Sequence, residues 1–134
     1  MIEFVWDEHR AGTATTPSGR WLCAGEEAEF SPDDLLATAA AACLMRTCAS
    51  LAAEGGVDFL SFAATAQLAE DAPPSAARVC VRVQMVISEE VPEARMLALW
   101  SDALQESPVA NVIGDRLDAQ IEVTRLLTAP LRSE

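Results

Sequence analysis

Hydrophobic residues follow two different spacings along this chain, and these spacings predict six strands and three helices. The clearest strand covers residues 78–88, where valine, methionine and isoleucine occupy every second position from Val79 to Ile87. The alternation places Cys80 on the opposite face of this strand, away from the apolar row. The remaining predicted strands cover residues 2–8, 13–16, 20–23, 57–69 and 117–127, and the predicted helices cover residues 31–56, 92–106 and 108–113.

The longest predicted helix, residues 31–56, has signals at both ends. Ser31 is placed as its N-cap, and Asp34 three residues later is spaced to complete a capping box. A run rich in alanine and leucine follows, and a pair of glycines ends the helix. Because the middle of the helix has no charged residue before Arg46, we expect the helix to be buried over most of its circumference.

The predicted elements follow the order of three strands, one helix, two strands, two helices and a final strand. Strands that follow each other directly in the chain can pair through hairpins, so this order favours an α+β fold with an antiparallel sheet. The long helix is expected to pack on that sheet or against a partner chain. Residues 1–134 are expected to form a single domain, because this length is sufficient for one core of ordinary size.

The composition argues against several classes of partner. The formal net charge is −12, with nine arginines and no lysine, so phosphate backbones and anionic membrane surfaces are repelled. We therefore expect no nucleic acid and no membrane among its partners. No apolar run reaches the uncharged length that spans a bilayer, and the N-terminus lacks the pattern of a signal peptide, so the expected location is cytoplasmic.

The chain has four cysteines, and no two of them have the CxxC spacing. The one histidine, His9, is distant from them in sequence, so we expect no metal site and no cofactor. Cys43, in the middle of the longest helix, is the chemically most informative group, whereas Cys23, Cys48 and Cys80 are expected to be structural. Taken alone, a cysteine on a helix rich in alanine and leucine is more often a small core residue than a nucleophile.

The segment SPDDLLATAAAACLM, residues 31–45, resembles the signature of the OsmC/Ohr family, the osmotically inducible and organic hydroperoxide resistance proteins. In that family a proline and an acidic residue open a long helix rich in leucine and alanine, which carries a cysteine. The resemblance covers nearly the whole chain and implies an OsmC-like fold in an intertwined homodimer with two sites at the interface. A second landmark of the family, a Cys-Pro pair between the last two helices, is replaced here by Ser107-Pro108.

The resemblance also implies three site residues. Cys43 corresponds to the peroxidatic cysteine, Arg10 to the arginine that stabilises its thiolate, and Asp33 to the carboxylate that holds the arginine. Arg10 is followed by Gly12, as in the N-terminal element of the family, and Arg20 is the alternative arginine. A nearby cation lowers the pKa of a thiol, and attack of the thiolate on a hydroperoxide leaves a sulfenic acid. Asp33 and Cys43 are about 15 Å apart along an ideal helix, so the arginine must reach the thiol from another element.

Ser107 is the position at which this chain departs from the family pattern. A serine cannot form a disulfide with Cys43, and its simplest role is to cap the helix that begins at Pro108. Cys48 lies about 140° around the helix from Cys43 and is a poor substitute for the missing cysteine. The resemblance therefore implies either a thiol-dependent hydroperoxide reductase that acts on organic hydroperoxides through Cys43 and is recycled by an external thiol, or a member of the family that is not a peroxidase.

Two other interpretations stay open at this point. One is a non-catalytic protein of the same fold that binds a small hydrophobic ligand at the dimer interface, and the other is a structural α+β dimerisation module. An arginine within hydrogen-bond reach of the Cys43 sulfur favours the peroxidase. An apolar pocket without a cation favours ligand binding, and the absence of a pocket favours the structural module.

Overall fold

The computed structural model of the protein describes residues 1–6, 11–25, 30–70 and 73–126. These residues contain six strands and three α-helices, in the order that the sequence predicts. The strands are β1 (Glu3–Trp6), β2 (Ala11–Thr15), β3 (Trp21–Gly25), β4 (Phe59–Ala69), β5 (Arg78–Ser88) and β6 (Leu117–Leu126), and the helices are α1 (Pro32–Glu54), α2 (Glu93–Glu106) and α3 (Pro108–Ile113).

The described strands form two three-stranded sheets, and the α+β fold class is confirmed. β1, β2 and β3 form an antiparallel meander, and β4 pairs antiparallel with β5. The expectation of an antiparallel sheet is wrong for the last strand, because β6 runs parallel to β5, with Ile121 opposite Val83. Between these two strands the chain passes through α2 and α3, and such a crossover is what joins parallel neighbours.

The core lies between the inner face of the second sheet and the helices. The apolar row predicted for β5 is buried throughout, from Val79 to Ile87, and Cys80 is half-buried on the other face, as the alternation predicts. Leu44 of α1 and Met96 of α2 are fully buried in the same cluster. Burial of each such side chain contributes about 1.5–3 kcal/mol, which holds the helices on the sheet.

Helix α1 begins with the capping box that the sequence predicts. The Ser31 hydroxyl accepts a hydrogen bond from the Asp34 N–H at 3.1 Å, and the Asp34 carboxylate accepts one from the Ser31 N–H at 3.4 Å. The expectation of burial over most of the helix is wrong for the single chain, since one stripe is buried and Leu36 at its edge is exposed. The buried stripe consists of Ala37, Ala40, Cys43, Leu44, Cys48 and Ala52.

By length and composition α1 is apolar enough to cross a membrane, contrary to the expectation from the sequence. In this structure α1 contacts β4, β5 and α2 as a core helix does, and core helices of water-soluble proteins pass the same test of composition. The core of this domain accounts for the buried stripe of α1.

The first sheet carries large apolar side chains that the single chain leaves exposed. Phe4, Trp6 and Trp21 are 54%, 57% and 70% exposed. The Phe4 ring lies over Gly12, where an added Cβ would meet a ring carbon at 2.1 Å. The glycine at position 12 is therefore explained by packing, because any side chain there would displace the Phe4 ring.

Candidate functional site

The Cys43 thiol is held between α1 and the junction of α2 with α3. Cys43 is on the buried stripe of α1 and is 5% exposed. The Ser107 hydroxyl donates a hydrogen bond to Cys43 Sγ at 3.1 Å, from a position 64 residues further along the chain. Ser107 is itself fully buried, so water does not compete for its hydroxyl. The fold therefore gives the thiol a fixed polar partner.

Ser107 is positioned by the helix junction that it forms. It ends α2, and as the N-cap of α3 its hydroxyl oxygen accepts a hydrogen bond from the Ala110 N–H at 3.4 Å. The predicted capping role is thus confirmed. A hydroxyl has one proton to donate besides its acceptor lone pairs, so the oxygen that caps α3 also donates to Cys43 Sγ. The Val109 backbone N–H, next to this cap, is a second hydrogen-bond partner of the sulfur.

A guanidinium from the same helix also reaches the thiol. Arg46 Nη2 lies 3.8 Å from Cys43 Sγ. Residues three positions apart on a helix are neighbours on its surface, which brings this pair together. Arg46 is exposed, so its charge lies between the buried thiol and the solvent.

Together these contacts lower the pKa of the Cys43 thiol from its ordinary value of 9.0. Burial is the largest single influence and raises the pKa, because a thiolate is poorly solvated away from water. The hydrogen bonds from Ser107 and the Val109 N–H, with the charge and the hydrogen bond of Arg46, outweigh that effect. Cys43 therefore forms the nucleophilic thiolate more readily than an unperturbed cysteine does.

The remaining residues that the resemblance implied have different outcomes. Arg10, like His9, lies outside the described residues. Asp33 is exposed in the first turn of α1, and within the described residues no hydrogen bond or ion pair joins it to Cys43. Arg20 is exposed near the start of β3, and its backbone N–H donates to Thr16 Oγ1 at 3.1 Å. Arg20 thus makes no hydrogen bond to the thiol, and the predicted pairing of Asp33 with Arg10 lies outside the described residues.

Sequence reasoning missed two side chains that touch the thiol. It assigned Ser107 a capping role only, and it gave Arg46 no role. The signal for Ser107 was its position in place of the second cysteine of the family, which has to lie near the first one. The signal for Arg46 was its spacing of three residues from Cys43 on one helix.

The other three cysteines are also free thiols, in different surroundings. Cys48 is 0% exposed, and burial raises its pKa to about 11. Cys80 is half-buried on the polar face of β5, and Cys23 is exposed on β3. Among the described residues, no group of three or more His, Cys, Asp or Glu side chains would hold a metal ion.

Comparison with known proteins gives a family match over most of the chain. A model of the family described as OsmC-like protein matches residues 25–122. No curated protein matches the chain.

Solved structures with the same fold are similar to almost the whole chain. An OsmC like protein from Mycoplasma pneumoniae has a TM-score of 0.75 at 16% identity, over 94% of this chain and 96% of that chain. An organic hydroperoxide resistance protein OsmC from Legionella pneumophila has a TM-score of 0.67 at 19% identity, over 92% and 96% of the two chains. The organic hydroperoxide resistance protein OhrB of Bacillus subtilis has a TM-score of 0.66 at 17% identity, over 92% and 98%. At these identities the likeness establishes the fold.

Proposed function

The chain belongs to the OsmC-like protein family, and from this premise we propose that it reduces organic hydroperoxides with the Cys43 thiolate and an external thiol. The observation that carries the proposal is the hydrogen bond from the buried Ser107 hydroxyl to Cys43 Sγ at 3.1 Å, together with the lowered pKa of that thiol. Two solved structures of this fold are named as organic hydroperoxide resistance proteins, which supports peroxide chemistry in a stress response.

The first half of the reaction takes place at the Cys43 sulfur. The thiolate attacks the terminal oxygen of the hydroperoxide, so an S–O bond forms while the O–O bond breaks. Two electrons pass from sulfur to the peroxide, and the alkoxide takes up a proton and leaves as an alcohol. Ser107 Oγ–H and the Val109 N–H stabilise the thiolate before attack, because each donates a hydrogen bond to the sulfur. The product on the protein is a sulfenic acid at Cys43.

The second half of the reaction needs a thiol from outside the chain. Ser107 occupies the position next to Cys43 where a second cysteine would form a disulfide, and a hydroxyl cannot do so. A first external thiol therefore condenses with the sulfenic acid to give a mixed disulfide and water. A second external thiol then releases Cys43 as a thiol and leaves as a disulfide with the first. The cytoplasm, where thiols are kept reduced, is the proposed location.

A homodimer is part of the same proposal. The exposed Phe4, Trp6 and Trp21 on the first sheet and the exposed Leu36 beside the Cys43 stripe are apolar surfaces that a second copy would bury. Large exposed apolar patches are typical of protein interfaces. Organic hydroperoxides are the proposed substrates, in line with the names of two solved structures of this fold. The net charge of −12 supports a small-molecule substrate and argues against nucleic acid as a partner.

The second candidate, binding of a small hydrophobic ligand, is favoured by one observation. A groove of about 290 Å³ lies beside α3, and its lining combines the apolar side chains of Leu104, Ala110, Leu117 and Ala119 with Asn111 and Gly114. Such a ligand would bind to Cys43→Ser as well as to the wild-type protein, because Cys43 does not line this groove. Loss of turnover in Cys43→Ser therefore separates the two functions.

The test is the consumption of cumene hydroperoxide by the purified protein with dithiothreitol as the reductant. We expect Cys43→Ser to lose turnover, since the attacking sulfur is gone, and Cys23→Ser to keep it, since Cys23 is an exposed thiol on another element. Cumene hydroperoxide should be consumed faster than hydrogen peroxide. Turnover that survives in Cys43→Ser, or a wild-type protein without turnover, would overturn the proposal.

A further inference from the structure

A positive charge close to the Cys43 sulfur would stabilise its thiolate. Within the described residues, Arg46 is the charged group whose charge acts on the Cys43 thiol. Its Nη2 atom lies 3.8 Å from Sγ. The groups that face the sulfur from α3, the Ser107 hydroxyl and the Val109 N–H, are neutral donors. A cation is thus already present without an arginine from the N-terminal strands.

The geometry of α1 explains why Arg46 covers this thiol. Side chains on a helix lean toward its N-terminus, so a long side chain lies over the turn before its own Cα. Arg46 is three residues after Cys43, and this lean carries its guanidinium back over the Cys43 position. The sulfur is buried beneath while the guanidinium stays exposed, so the charge lies between the sulfur and the solvent.

We propose that Arg46 is the cation that stabilises the Cys43 thiolate, supplied by the same helix that carries the cysteine. The inference rests on the proposed function for its biological meaning, but the contact and its effect on the thiol do not depend on peroxide turnover. A guanidinium keeps its charge at any physiological pH, so Arg46 supplies a permanent positive charge beside the sulfur. Because both residues belong to α1, the pair forms whenever this helix forms.

Arg46 acts on the Cys43 thiol in a different way from Ser107. Ser107 is buried and holds the sulfur by a hydrogen bond, whereas Arg46 is exposed and acts through its charge at the surface. Salt screens an exposed charge strongly and a buried hydrogen bond weakly. The Arg46 effect should therefore weaken in concentrated salt, and the Ser107 effect should persist.

The experiment measures the rate of iodoacetamide labelling of the Cys43 peptide by mass spectrometry between pH 5 and pH 10. At low ionic strength we expect Arg46→Gln to slow labelling at pH 7 about two- to five-fold, the size of effect typical of one exposed ion pair. Its pH midpoint should move upward. Arg46→Lys should label at close to the wild-type rate, because a lysine keeps the positive charge that Arg46→Gln removes. Sodium chloride at 1 M, where the screening length is about 3 Å, should bring the wild-type rate toward that of Arg46→Gln.

Arg20→Gln is the matched control, because Arg20 is an exposed arginine that makes no contact with the thiol among the described residues. Arg10→Gln is measured in parallel as the position that the family resemblance favours. An unchanged rate in Arg46→Gln, or a slowed rate in Arg10→Gln with Arg46→Gln unchanged, would overturn the inference. If the wild-type protein consumes no hydroperoxide while Arg46→Gln still slows labelling, the proposed function fails and the Arg46 inference stands.

Discussion

Cys43 and Cys48 are the same residue type on the same helix, five residues apart, and yet their thiols have opposite character. Both are buried, at 5% and 0% exposed. The pKa of Cys43 is lowered, whereas burial raises the pKa of Cys48 to about 11. Depth in the protein therefore does not prepare a cysteine for nucleophilic chemistry.

The difference lies in what each thiol faces. Cys48 belongs to the hydrophobic cluster formed by α1, α2 and the second sheet, where burial alone acts on it. Cys43 faces the α2–α3 junction, where the Ser107 hydroxyl and the Val109 N–H point at the sulfur. Two hydrogen-bond donors and one arginine reverse the effect of burial. A single helix thus carries a thiol of raised pKa toward the core and a thiol of lowered pKa toward a polar junction.

The largest expected effect is the difference in reactivity between these two thiols in the wild-type protein. At pH 7 a thiol of pKa about 11 is roughly 0.01% thiolate, and one with a pKa below 9.0 is more than about 1% thiolate. The thiolate of Cys48 is the more basic of the two and therefore the stronger nucleophile, which offsets about tenfold of this difference in thiolate fraction. Cys43 should then label at least about tenfold faster than Cys48. Quantifying both peptides after iodoacetamide treatment measures this ratio, and equal rates would contradict the comparison.

The second prediction concerns stability at alkaline pH. The chain has no tyrosine and no lysine, and burial raises the pKa of the Cys48 thiol to about 11. The folded-state pKa of Cys48 is raised, so the folded chain keeps this proton while the unfolded chain loses it. The contribution of Cys48 to the free energy of unfolding is therefore fully present below pH 9.0 and is lost as the pH rises through about 11. We expect the free energy of unfolding to fall by roughly 2 kcal/mol over this interval.

Urea unfolding at pH 8.5 and pH 11 measures this loss. In Cys48→Ala the free energy of unfolding should fall less between these two pH values, because the thiol with the raised pKa is absent. The pKa of Cys43 is lowered, so its contribution to the free energy of unfolding depends on pH in the opposite sense. That contribution is present above pH 9.0 and is lost as the pH falls through the folded-state pKa of Cys43. If the free energy of unfolding falls by the same amount in Cys48→Ala as in the wild-type protein, burial of Cys48 is not the cause of the fall.

The third prediction concerns Ser107, the hydroxyl donor that distinguishes the surroundings of Cys43 from those of Cys48. Ser107→Ala should raise the pKa of Cys43 and slow its labelling several-fold at pH 7, because the hydroxyl no longer donates to the sulfur. It should also lower the free energy of unfolding by about 1 kcal/mol, since Ser107 caps α3. Ser101→Ala, an exposed position in α2, is the matched control. A pH profile of labelling that does not move in Ser107→Ala would remove this hydrogen bond from the explanation.

The smallest expected effect is at Asp33. Asp33→Asn should leave the labelling rate of Cys43 unchanged, because the proposed cation beside that thiol is Arg46 and not an arginine that Asp33 would hold. The loss of a negative charge from the first turn of α1 should cost at most about 0.5 kcal/mol of stability. Thermal unfolding and peptide labelling test both parts. A labelling rate as slow as that of Ser107→Ala would support the role that the family resemblance implies for Asp33.

The sequence predicted the elements of the fold well, because the relevant signals are local. The capping residues Ser31 and Asp34 located the start of α1, and the alternation along β5 located its buried face. The parallel pairing of β6 was not predicted, since residue alternation carries no information about strand direction after two intervening helices. The burial of α1 was overestimated, because an apolar composition does not say whether the same chain or another one covers each face.

The candidate site was predicted in part. Cys43 was identified through the helix motif that it shares with the family. Its contact with Ser107 joins residues 64 positions apart, and only the packing of the α2–α3 junction against α1 brings them together. Arg46 was within reach of sequence reasoning, because its spacing from Cys43 is fixed by the helix. The family pattern had instead directed attention to an N-terminal arginine.

Trapping of the oxidised thiol shows whether Cys43 is the residue that reacts with a hydroperoxide. The reduced wild-type protein is given one equivalent of cumene hydroperoxide in the presence of dimedone, which captures sulfenic acids. Peptides that contain each of the four cysteines are then quantified by mass spectrometry. We predict dimedone on Cys43 and none above background on Cys48. Labelling on Cys23 or Cys80 with Cys43 unmodified would contradict the assignment.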